Sequence, residues 1–488
     1  MSITSRNALL LLFLLLFSAM FLSACSDPEG GEKIPSEQAL EQGGETGAEE
    51  PPKWLDEAPG RDFGGYSFKM YIEDGLIFMD TYVEEETGEP VDDAVWMRNK
   101  IVEDRFNIDI EPIWYTYDWG PSTPGENSIL AGDEAFDVIF SHGRVAYMYV
   151  NKNLVADWIE NMPYADLSKS WWNQDVVEEC SFFGRLYAAT GDIAYSTLRQ
   201  TLCIYFNKNL FAALGIPYPY DDVKSGAWTL DKLAEVAKLG TADLNGDGAM
   251  TFGEDRFGFA MWNQWTFPTA ALYIGGDKIV KKDENGHPVL AMYTPRAISI
   301  YEKLFEMLDD NVAFCPVNDM TPSQPVFMSG LALFHDAGMG GAVMLREMED
   351  DIGIIPYPKY DARTPRYFSF MDANARMITV PKTAGDFERT GIILEAMASE
   401  SQRTVFPAYY ELTLKTKHSR DDESYEMLDI IKDSIVIDWG YLNDSLLWPL
   451  SSVGGSLIPK SSVNFTSFYE KNESAASSSL RKFIEDNA

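Results

Sequence analysis

The pattern of apolar and polar positions along this chain switches between a period of two residues and a helical period. Residues 66–72 and 108–113 alternate as half-buried strands do, and residues 137–140 form a short apolar run after a polar turn. Residues 92–106 have the apolar spacing of a helix. Strands that alternate with helices predict a parallel sheet covered on both faces, with ligands bound beyond the carboxyl ends of its strands.

A second region of the same kind begins near Leu202. Short apolar segments that suit buried strands lie at residues 202–206, 257–261, 330–334, 351–355 and 377–380. Residues 295–309 carry one apolar stripe at helical spacing. The chain beyond about residue 62 is too long for one simple core, so we predict an α/β fold with two lobes.

The first 24 residues have the features of a targeting segment and are not expected to belong to the fold. Arg6 supplies a positive charge, and residues 9–17 form an apolar run too short to span a bilayer. Residues 22–25, Leu-Ser-Ala-Cys, resemble the lipobox of bacterial lipoproteins, in which cleavage occurs before a cysteine that carries a diacylglycerol. We therefore predict a signal peptide over residues 1–24 and a lipid anchor at Cys25. The alternative is an ordinary secretory signal with a chance cysteine.

Residues 25–61 differ in composition from the rest of the chain. Between residues 26 and 60 lie ten acidic residues and two lysines, a net charge of 2 − 10 = −8. Such a segment cannot bury enough apolar surface to offset its ordering entropy. We predict a disordered tether that holds a globular body away from the membrane.

Charge and cysteine content narrow the possible partners. The 39 basic and 76 acidic residues give a formal net charge of −37, which argues against nucleic acid or anionic lipid as a partner. With Cys25 taken by the lipid, Cys180, Cys203 and Cys315 remain, an odd number without the paired spacing of a metal site. We expect these three to be buried free thiols.

Residues 243–254 fit the calcium-loop pattern D-x-[DN]-x-[DN]-G-x5-E at every defined position. The pattern predicts a Ca²⁺ site with oxygen ligands from Asp243, Asn245, Asp247, Ala249 (through its carbonyl) and Glu254. Residues 257–259 are strand-like, so the exiting helix of an EF-hand is missing, and no second copy occurs. We therefore expect a structural ion rather than a calcium sensor. The alternative is an Asp/Asn/Gly-rich turn that matches by chance.

Several segments together resemble bacterial extracellular solute-binding proteins that serve sugar importers. They are residues 184–188 (GRLYA), 205–211 (YFNKNLF), 215–217 (GIP), 228–233 (WTLDKL) and 353–358 (GIIPYP). Trp228 precedes its threonine, whereas the family's tryptophan usually follows, and Phe206 replaces a more usual tyrosine. The resemblance covers most of residues 62–488, and these departures leave the subfamily and the ligand open.

The resemblance implies a two-lobed α/β fold of the periplasmic-binding-protein type (type II), with hinge crossings between the lobes. The first lobe would comprise residues 62–190 and 375–418, and the second residues 191–370 and 425–488. A small polar solute, expected to be a carbohydrate, would bind in the cleft as the lobes close. The protein would then deliver it, as a monomer, to the permease subunits of an ABC transporter.

A sugar presents hydroxyls and weakly polar C–H faces, so its site needs flat aromatic rings and planar polar side chains. Candidates are residues that follow a strand, lie near an expected crossing or could cap the cleft: Trp262, Trp265, Asp192, His142, Asp372, Trp439 and Trp172. For Trp262 the alternative is a tryptophan of the core, for Trp172 it is packing on the surface of a lobe, and for Asp192 it is a turn cap.

Two other functions remain open from the residues alone. A cell-surface glycoside-active enzyme needs two carboxylates that flank a bond, but with 76 acidic residues any such pair is uninformative. His335-Asp336 follows a strand without a third catalytic partner, and we find no Gly-x-Ser-x-Gly, His-Glu-x-x-His or phosphate-loop pattern. We do not expect an enzyme. A ligand-binding sensor subunit for a membrane signalling system shares the same binding physics and is the alternative to import.

Overall fold

A computed structural model describes residues 54–74, 80–116, 120, 122–123, 125–316, 323–411, 422–460 and 464–487. The predicted signal peptide 1–24 and the predicted lipidation residue Cys25 lie outside the described residues. From Trp54 onward the described residues belong to one compact unit. Within them, no helix is both long enough and apolar enough to cross a bilayer.

In chain order the strands are β1 (Tyr66–Glu73), β2 (Ile108–Tyr115), β3 (Val138–His142), β4 (Leu202–Asn207), β5 (Phe257–Ala260), β6 (Val280–Lys282), β7 (Pro288–Leu290), β8 (Ala313–Phe314), β9 (Ala332–Gly338), β10 (Ile352–Ile355), β11 (Ser369–Phe370), β12 (Arg376–Thr379) and β13 (Ile435–Val436). The helices and helical turns are α1 (Pro90–Phe106), α2 (Glu126–Ala131), α3 (Gly143–Asn151), α4 (Trp158–Asn161), α5 (Gln174–Cys180), α6 (Ser196–Arg199), α7 (Lys208–Leu214), α8 (Tyr220–Ser225), α9 (Leu230–Gly240), α10 (Phe267–Ala270), α11 (Pro295–Asp309), α12 (Ser323–Met328), α13 (Gly341–Leu345), α14 (Phe387–Arg403), α15 (Val405–Pro407), α16 (Asp422–Asp433), α17 (Trp439–Leu442), α18 (Asp444–Leu447), α19 (Val453–Leu457) and α20 (Phe465–Asn487). Short 3-10 turns lie at Tyr273–Gly275, Leu450–Ser452 and Ile458–Lys460.

The first lobe is built on the sheet β12-β3-β1-β2, in which β1 is parallel to both neighbours and β12 is antiparallel to β3. Alternate residues of β1 point into the core, where Phe68, Met70 and Ile72 are completely buried. Helix α1 begins with Pro90, whose fixed φ suits a first turn, and ends at Asn107 in the left-handed region. It packs against α14, which covers this lobe.

The second lobe is built on the sheet β10-β4-β9-β5-β8. Every residue of β4 and β5 is buried, as expected for strands covered on both faces. β5 runs parallel to β8 and β9, whereas β4 is antiparallel to β9 and to β10. Helix α11 is capped by Thr294, which accepts a hydrogen bond from the Ala297 N–H at 3.0 Å, and it buries Ile300, Tyr301 and Leu304.

The chain crosses between the two sheets in segments that contact one another. Residues 190–201 lead from the first sheet to β4, and residues 371–375 lead back to β12. Thr201 and Met371 form an antiparallel bridge between these crossings, and β11 pairs with β13 beside them. Two sheets joined by adjacent crossings confirm the predicted two-lobed α/β fold.

The C-terminal segment, which the resemblance assigns to the second lobe as residues 425–488, has contacts with both lobes. Asp438 accepts a hydrogen bond from the Tyr273 hydroxyl of the second lobe at 3.0 Å. Arg144 of the first lobe donates a hydrogen bond to the Ser452 hydroxyl at 2.9 Å. Polar side chains of this segment thus find partners in both lobes, and its assignment to the second lobe stays a prediction.

Residues 54–61, which composition assigns to the disordered tether 25–61, pack on the first lobe. The Asp56 carboxylate binds the Arg105 guanidinium at 2.7 Å and accepts a hydrogen bond from the Ser399 hydroxyl at 2.6 Å. The prediction of disorder is wrong for these residues, because partners distant in sequence fix them. The rest of the predicted tether lies outside the described residues.

Candidate ligand-binding site

The directions of the strands place one edge of each sheet next to the crossings. β1, β2 and β3 end at Glu73, Tyr115 and His142, and β12 begins on that same edge, directly after the return crossing. In the second lobe β5 and β9 end on the edge where β4 begins, directly after the first crossing. The carboxyl ends of the parallel strands in both sheets therefore lie at the crossings, where α/β sheets bind ligands.

A buried network of charges lies at this edge of the first lobe. The Glu73 carboxylate accepts a hydrogen bond from the His142 backbone N–H at 2.9 Å, and burial raises the pKa of that carboxyl. Arg376 donates from Nε to Asp80 Oδ1 at 2.5 Å and from Nη1 to the Glu73 carbonyl at 2.9 Å. Sequence reasoning missed Glu73, Asp80 and Arg376. The only indication in the sequence was that Glu73 stands at the end of a predicted strand with alternating apolar and polar residues.

His142, a predicted ligand residue, lies at the carboxyl end of β3 and caps α3. Its Nδ1 accepts a hydrogen bond from the Arg144 N–H at 3.1 Å. Burial lowers the pKa of His142 well below the usual value, so the ring is neutral at neutral pH. A ligand contact through this ring stays a prediction.

Trp262 lies two residues after the end of β5 and is half-buried. Its indole stacks on the His335 imidazole, with centroids 5.9 Å apart and planes inclined by 28°. Its backbone N–H donates to Asp336 Oδ1 at 2.7 Å. One face of the indole is thus supported by protein while part of the ring stays accessible, which is the arrangement a stacking platform needs.

Trp265 lies in the same loop and is also half-buried. Its backbone N–H donates a hydrogen bond to Asn263 Oδ1 at 2.8 Å, and its indole ring lies against Gly455 of the C-terminal segment. The neighbouring Gln264 is buried, and its Oε1 has no hydrogen-bond partner among the described residues. The indoles of Trp262 and Trp265 and the amide of Gln264 therefore lie in one loop at the edge of the second sheet.

The crossings hold the two predicted aspartates. The Asp192 N–H donates to the Trp171 carbonyl at 2.8 Å, and Gly191 is required before it, because a Cβ there would lie 2.0 Å from that oxygen. Burial raises the pKa of the Asp192 carboxyl to about 7. Asp372 accepts a hydrogen bond from the Tyr441 hydroxyl at 2.6 Å. Hydroxyl recognition by these carboxylates stays a prediction.

Trp172 and Trp439 are enclosed by protein, with 1% and 3% of their surface exposed. The Trp172 Nε1–H donates to Glu395 Oε2 at 2.8 Å. The Trp439 ring packs against Phe182 and Phe483, with centroids 4.9 and 5.1 Å away. Both rings are thus covered by protein in this conformation, and a ligand contact of either one stays a prediction.

The predicted calcium loop, residues 243–254, is largely exposed, and its side chains bond back to its own backbone. The Asp243 carboxylate accepts a hydrogen bond from the Gly248 N–H at 2.9 Å. The Asn245 side chain accepts one from the Asp247 N–H, and the Asp247 side chain accepts one from the Ala249 N–H. Gly248 has a φ of 83°, which favours glycine. The oxygen donors fit a hard cation in type. Within the described residues, however, no three His, Cys, Asp or Glu side chains are gathered as a metal site.

Two α/β lobes joined by adjacent crossings, with aromatic and charged side chains at the edges beside them, define the class of two-lobed solute-binding proteins. Residues 99–386, more than half of the chain, match the family model of the bacterial extracellular solute-binding protein. The chain belongs to this family, which confirms the resemblance seen in the sequence. No curated protein matches the chain.

Solved structures with this fold share little sequence with the chain. The maltose/maltodextrin-binding domain MalE from Bdellovibrio bacteriovorus, bound to maltotriose, has a TM-score of 0.55 at 13% identity, over 85% of this chain and 100% of that one. The ABC substrate-binding protein Lmo0181 from Listeria monocytogenes, in complex with cycloalternan, has a TM-score of 0.53 at 14% identity, over 86% and 99%. UgpB from Mycobacterium tuberculosis, in complex with glycerophosphocholine, has a TM-score of 0.55 at 16% identity, over 86% and 99%. At such identities the likeness shows the fold alone.

Proposed function

We propose that this protein captures a carbohydrate outside the cytoplasm and delivers it, unaltered, to an ABC importer. The observation that carries the proposal is the partly accessible indole of Trp262 at the carboxyl edge of the second sheet. A flat aromatic face suits the weakly polar C–H face of a sugar ring. The complexes of similarly folded proteins with maltotriose and cycloalternan support an oligosaccharide as the ligand class.

Sugar hydroxyls also require hydrogen-bonding groups around the stacked ring. Gln264 Oε1, buried without a partner among the described residues, offers an acceptor two residues from Trp262. At the edge of the first sheet, Glu73 provides a carboxylate fixed by the His142 N–H. Closure of the two lobes would bring such groups onto one ligand.

A lipid anchor at Cys25 belongs to the same proposal. The family is extracellular, and the lipobox-like residues 22–25 support attachment to the outer face of the cell membrane. An acidic linker up to residue 53 would leave the two lobes free to reach the permease subunits. We expect a monomer in this role.

Thermal melting against a ligand panel tests the carbohydrate proposal. We expect maltotriose or cycloalternan to raise the melting temperature, because a ligand at 100 times its Kd adds about 2.7 kcal/mol to the stability of the folded state. Glucose, glycerophosphocholine and a tripeptide serve as comparisons. A rise with glycerophosphocholine or the peptide, and with none of the sugars, would contradict the carbohydrate assignment.

The calcium proposal predicts a metal-dependent melt. Removal of Ca²⁺ by a chelator should lower the melting temperature by about 2 °C or more, because the bound ion stabilises only the folded loop. Asp247→Ala should abolish this sensitivity, since it removes one of the carboxylates that the loop pattern assigns to the ion. Scanning calorimetry with and without chelator measures both effects.

Asp221→Ala provides the matched control for the calcium experiment. Its side chain is 96% exposed and lies outside the loop, so this variant should keep the full response to chelator. An identical melt of the unmodified protein in calcium and in chelator would count against a calcium site.

A further inference from the structure

Three rings form a column in the second lobe. The His335 imidazole is stacked against two rings: the indole of Trp262, at 5.9 Å and 28°, and the ring of Phe327, at 5.3 Å and 25°. His335 is completely buried, whereas Trp262 is only half-buried. The imidazole therefore forms the support beneath the indole, and the accessible part of the column belongs to Trp262.

The nitrogens of His335 are engaged within the protein or enclosed by it. Nδ1 bonds the Ala260 carbonyl at 2.8 Å, and because a carbonyl can only accept, Nδ1 carries the hydrogen. Nε2 is buried and has no hydrogen-bond partner in the described part of the chain. Burial lowers the pKa of His335 to about 4, so the ring adds no charge beneath the indole at neutral pH.

The next residue of β9 fixes the backbone of the same loop. The Asp336 carboxylate accepts hydrogen bonds from the Trp262 N–H at 2.7 Å and from the Phe267 N–H at 2.8 Å. It also accepts a hydrogen bond from the Tyr357 hydroxyl at 2.7 Å. Asp336 thus determines where the loop begins and turns, and its bond to Trp262 goes to the backbone N–H rather than to the indole.

We infer that His335 is a positioning residue whose ring face, rather than either nitrogen, fixes the plane of the Trp262 indole for stacking on a ligand. The inference rests on the proposed function only for the last step, the contact with a sugar. The stacked column itself is a property of the protein without ligand. Sequence alone could not reveal it, because a His-Asp pair after a strand suggests chemistry rather than support.

Two substitutions separate the ring from its nitrogens. His335→Phe keeps a flat ring and removes the donor to Ala260, whereas His335→Asn keeps a donor at the Nδ1 position and removes the ring. In full-length protein labelled with 5-fluorotryptophan, the ¹⁹F resonance that disappears in Trp262→Phe reports on this indole. We expect one sharp resonance for the unmodified protein and for His335→Phe, and a shifted or broadened one for His335→Asn.

The same variants are compared for maltotriose binding by calorimetry. We expect His335→Asn to weaken binding by about tenfold, the upper range for one aromatic contact, and His335→Phe to change it by less than about threefold. If His335→Phe loses as much affinity as His335→Asn, a flat ring at this position is not sufficient to support the indole, and the inference is overturned. An unchanged ¹⁹F resonance in His335→Asn would also overturn it.

Two further measurements keep the outcome unambiguous. His287→Asn, a half-buried histidine whose ring contacts Phe183, should leave the Trp262 resonance unchanged. If His335→Asn does not fold, Phe327→Leu removes the far ring of the same column and should broaden the same resonance. If the unmodified protein binds none of the sugars, the proposed function fails, while the fluorine spectra still decide the role of His335.

Discussion

Trp262→Ala is expected to weaken the binding of maltotriose by about 100-fold, which corresponds to about 2.7 kcal/mol. The expected loss is large because the substitution removes the whole stacking surface and opens the cleft to water where a sugar ring would lie. The fold should tolerate the change, since the indole is only half-buried and its supports, His335 and Asp336, belong to a separate strand. Titration calorimetry measures the affinity, and thermal melting confirms that the variant is folded.

Trp54→Ala is the matched control for this experiment. Trp54 is also half-buried, but its ring lies 4.3 Å from the Arg105 guanidinium carbon, near the end of α1 and away from the carboxyl edge of the first sheet. This variant should bind maltotriose as the unmodified protein does. If Trp262→Ala retains full affinity while the unmodified protein binds the sugar, the stacking platform lies elsewhere in the cleft.

The regular elements could be predicted where the apolar period was clear. Residues 295–309 coincide with α11, and residues 202–206 and 351–355 with β4 and β10 to within one residue at either end. A helix that buries one face has apolar residues at a regular helical spacing, and a strand that is buried throughout is a continuous apolar run. Both patterns can be recognised from neighbouring residues alone. The three remaining cysteines are buried free thiols, as their odd number and unpaired spacing led us to expect.

The strand pairing beside the crossings could not be predicted in the same way. β11 and β13 are only two residues long each, and their pairing joins segments far apart in the chain. A strand of two residues is too short to show a recognisable pattern of apolar and polar positions. The contacts of Arg144 with Ser452, and of Asp438 with Tyr273, likewise depend on tertiary placement that no neighbouring residue signals.

The tryptophans show which side-chain placements can be predicted from the sequence and which cannot. Trp262 lies two residues after a strand, and strand ends meet the crossings in this fold, so local sequence was enough to place it. Trp172 also stood near a crossing, but its indole bonds Glu395 of α14, and burial raises the pKa of that carboxyl to about 7. A partner so distant in sequence decides whether an aromatic residue lines a cleft or fills an interior.

Arg376→Met is expected to lower the free energy of unfolding by about 3–5 kcal/mol, because it leaves a buried carboxylate without its counter-charge. Arg376 and Asp80 are both fully buried, and the Arg376 Nε–H donates to Asp80 Oδ1 at 2.5 Å. The substitution also removes the donor to the Glu73 carbonyl at the predicted cleft edge. Urea unfolding measures the loss, and maltotriose affinity should fall with it as Glu73 loses its support.

Arg363→Met tests whether burial, rather than the ion pair itself, produces that effect. Arg363 pairs with Asp361 at 2.9 Å, but its side chain is 91% exposed, so its removal should cost less than about 1 kcal/mol. The double variant Arg376→Met with Asp80→Leu should recover part of the stability, since the Asp80 carboxylate is then gone, whereas the buried Glu73 carboxylate still lacks the neighbouring Arg376 charge. Equal losses from Arg376→Met and Arg363→Met would mean that the buried pair does not hold the edge of the first sheet in place.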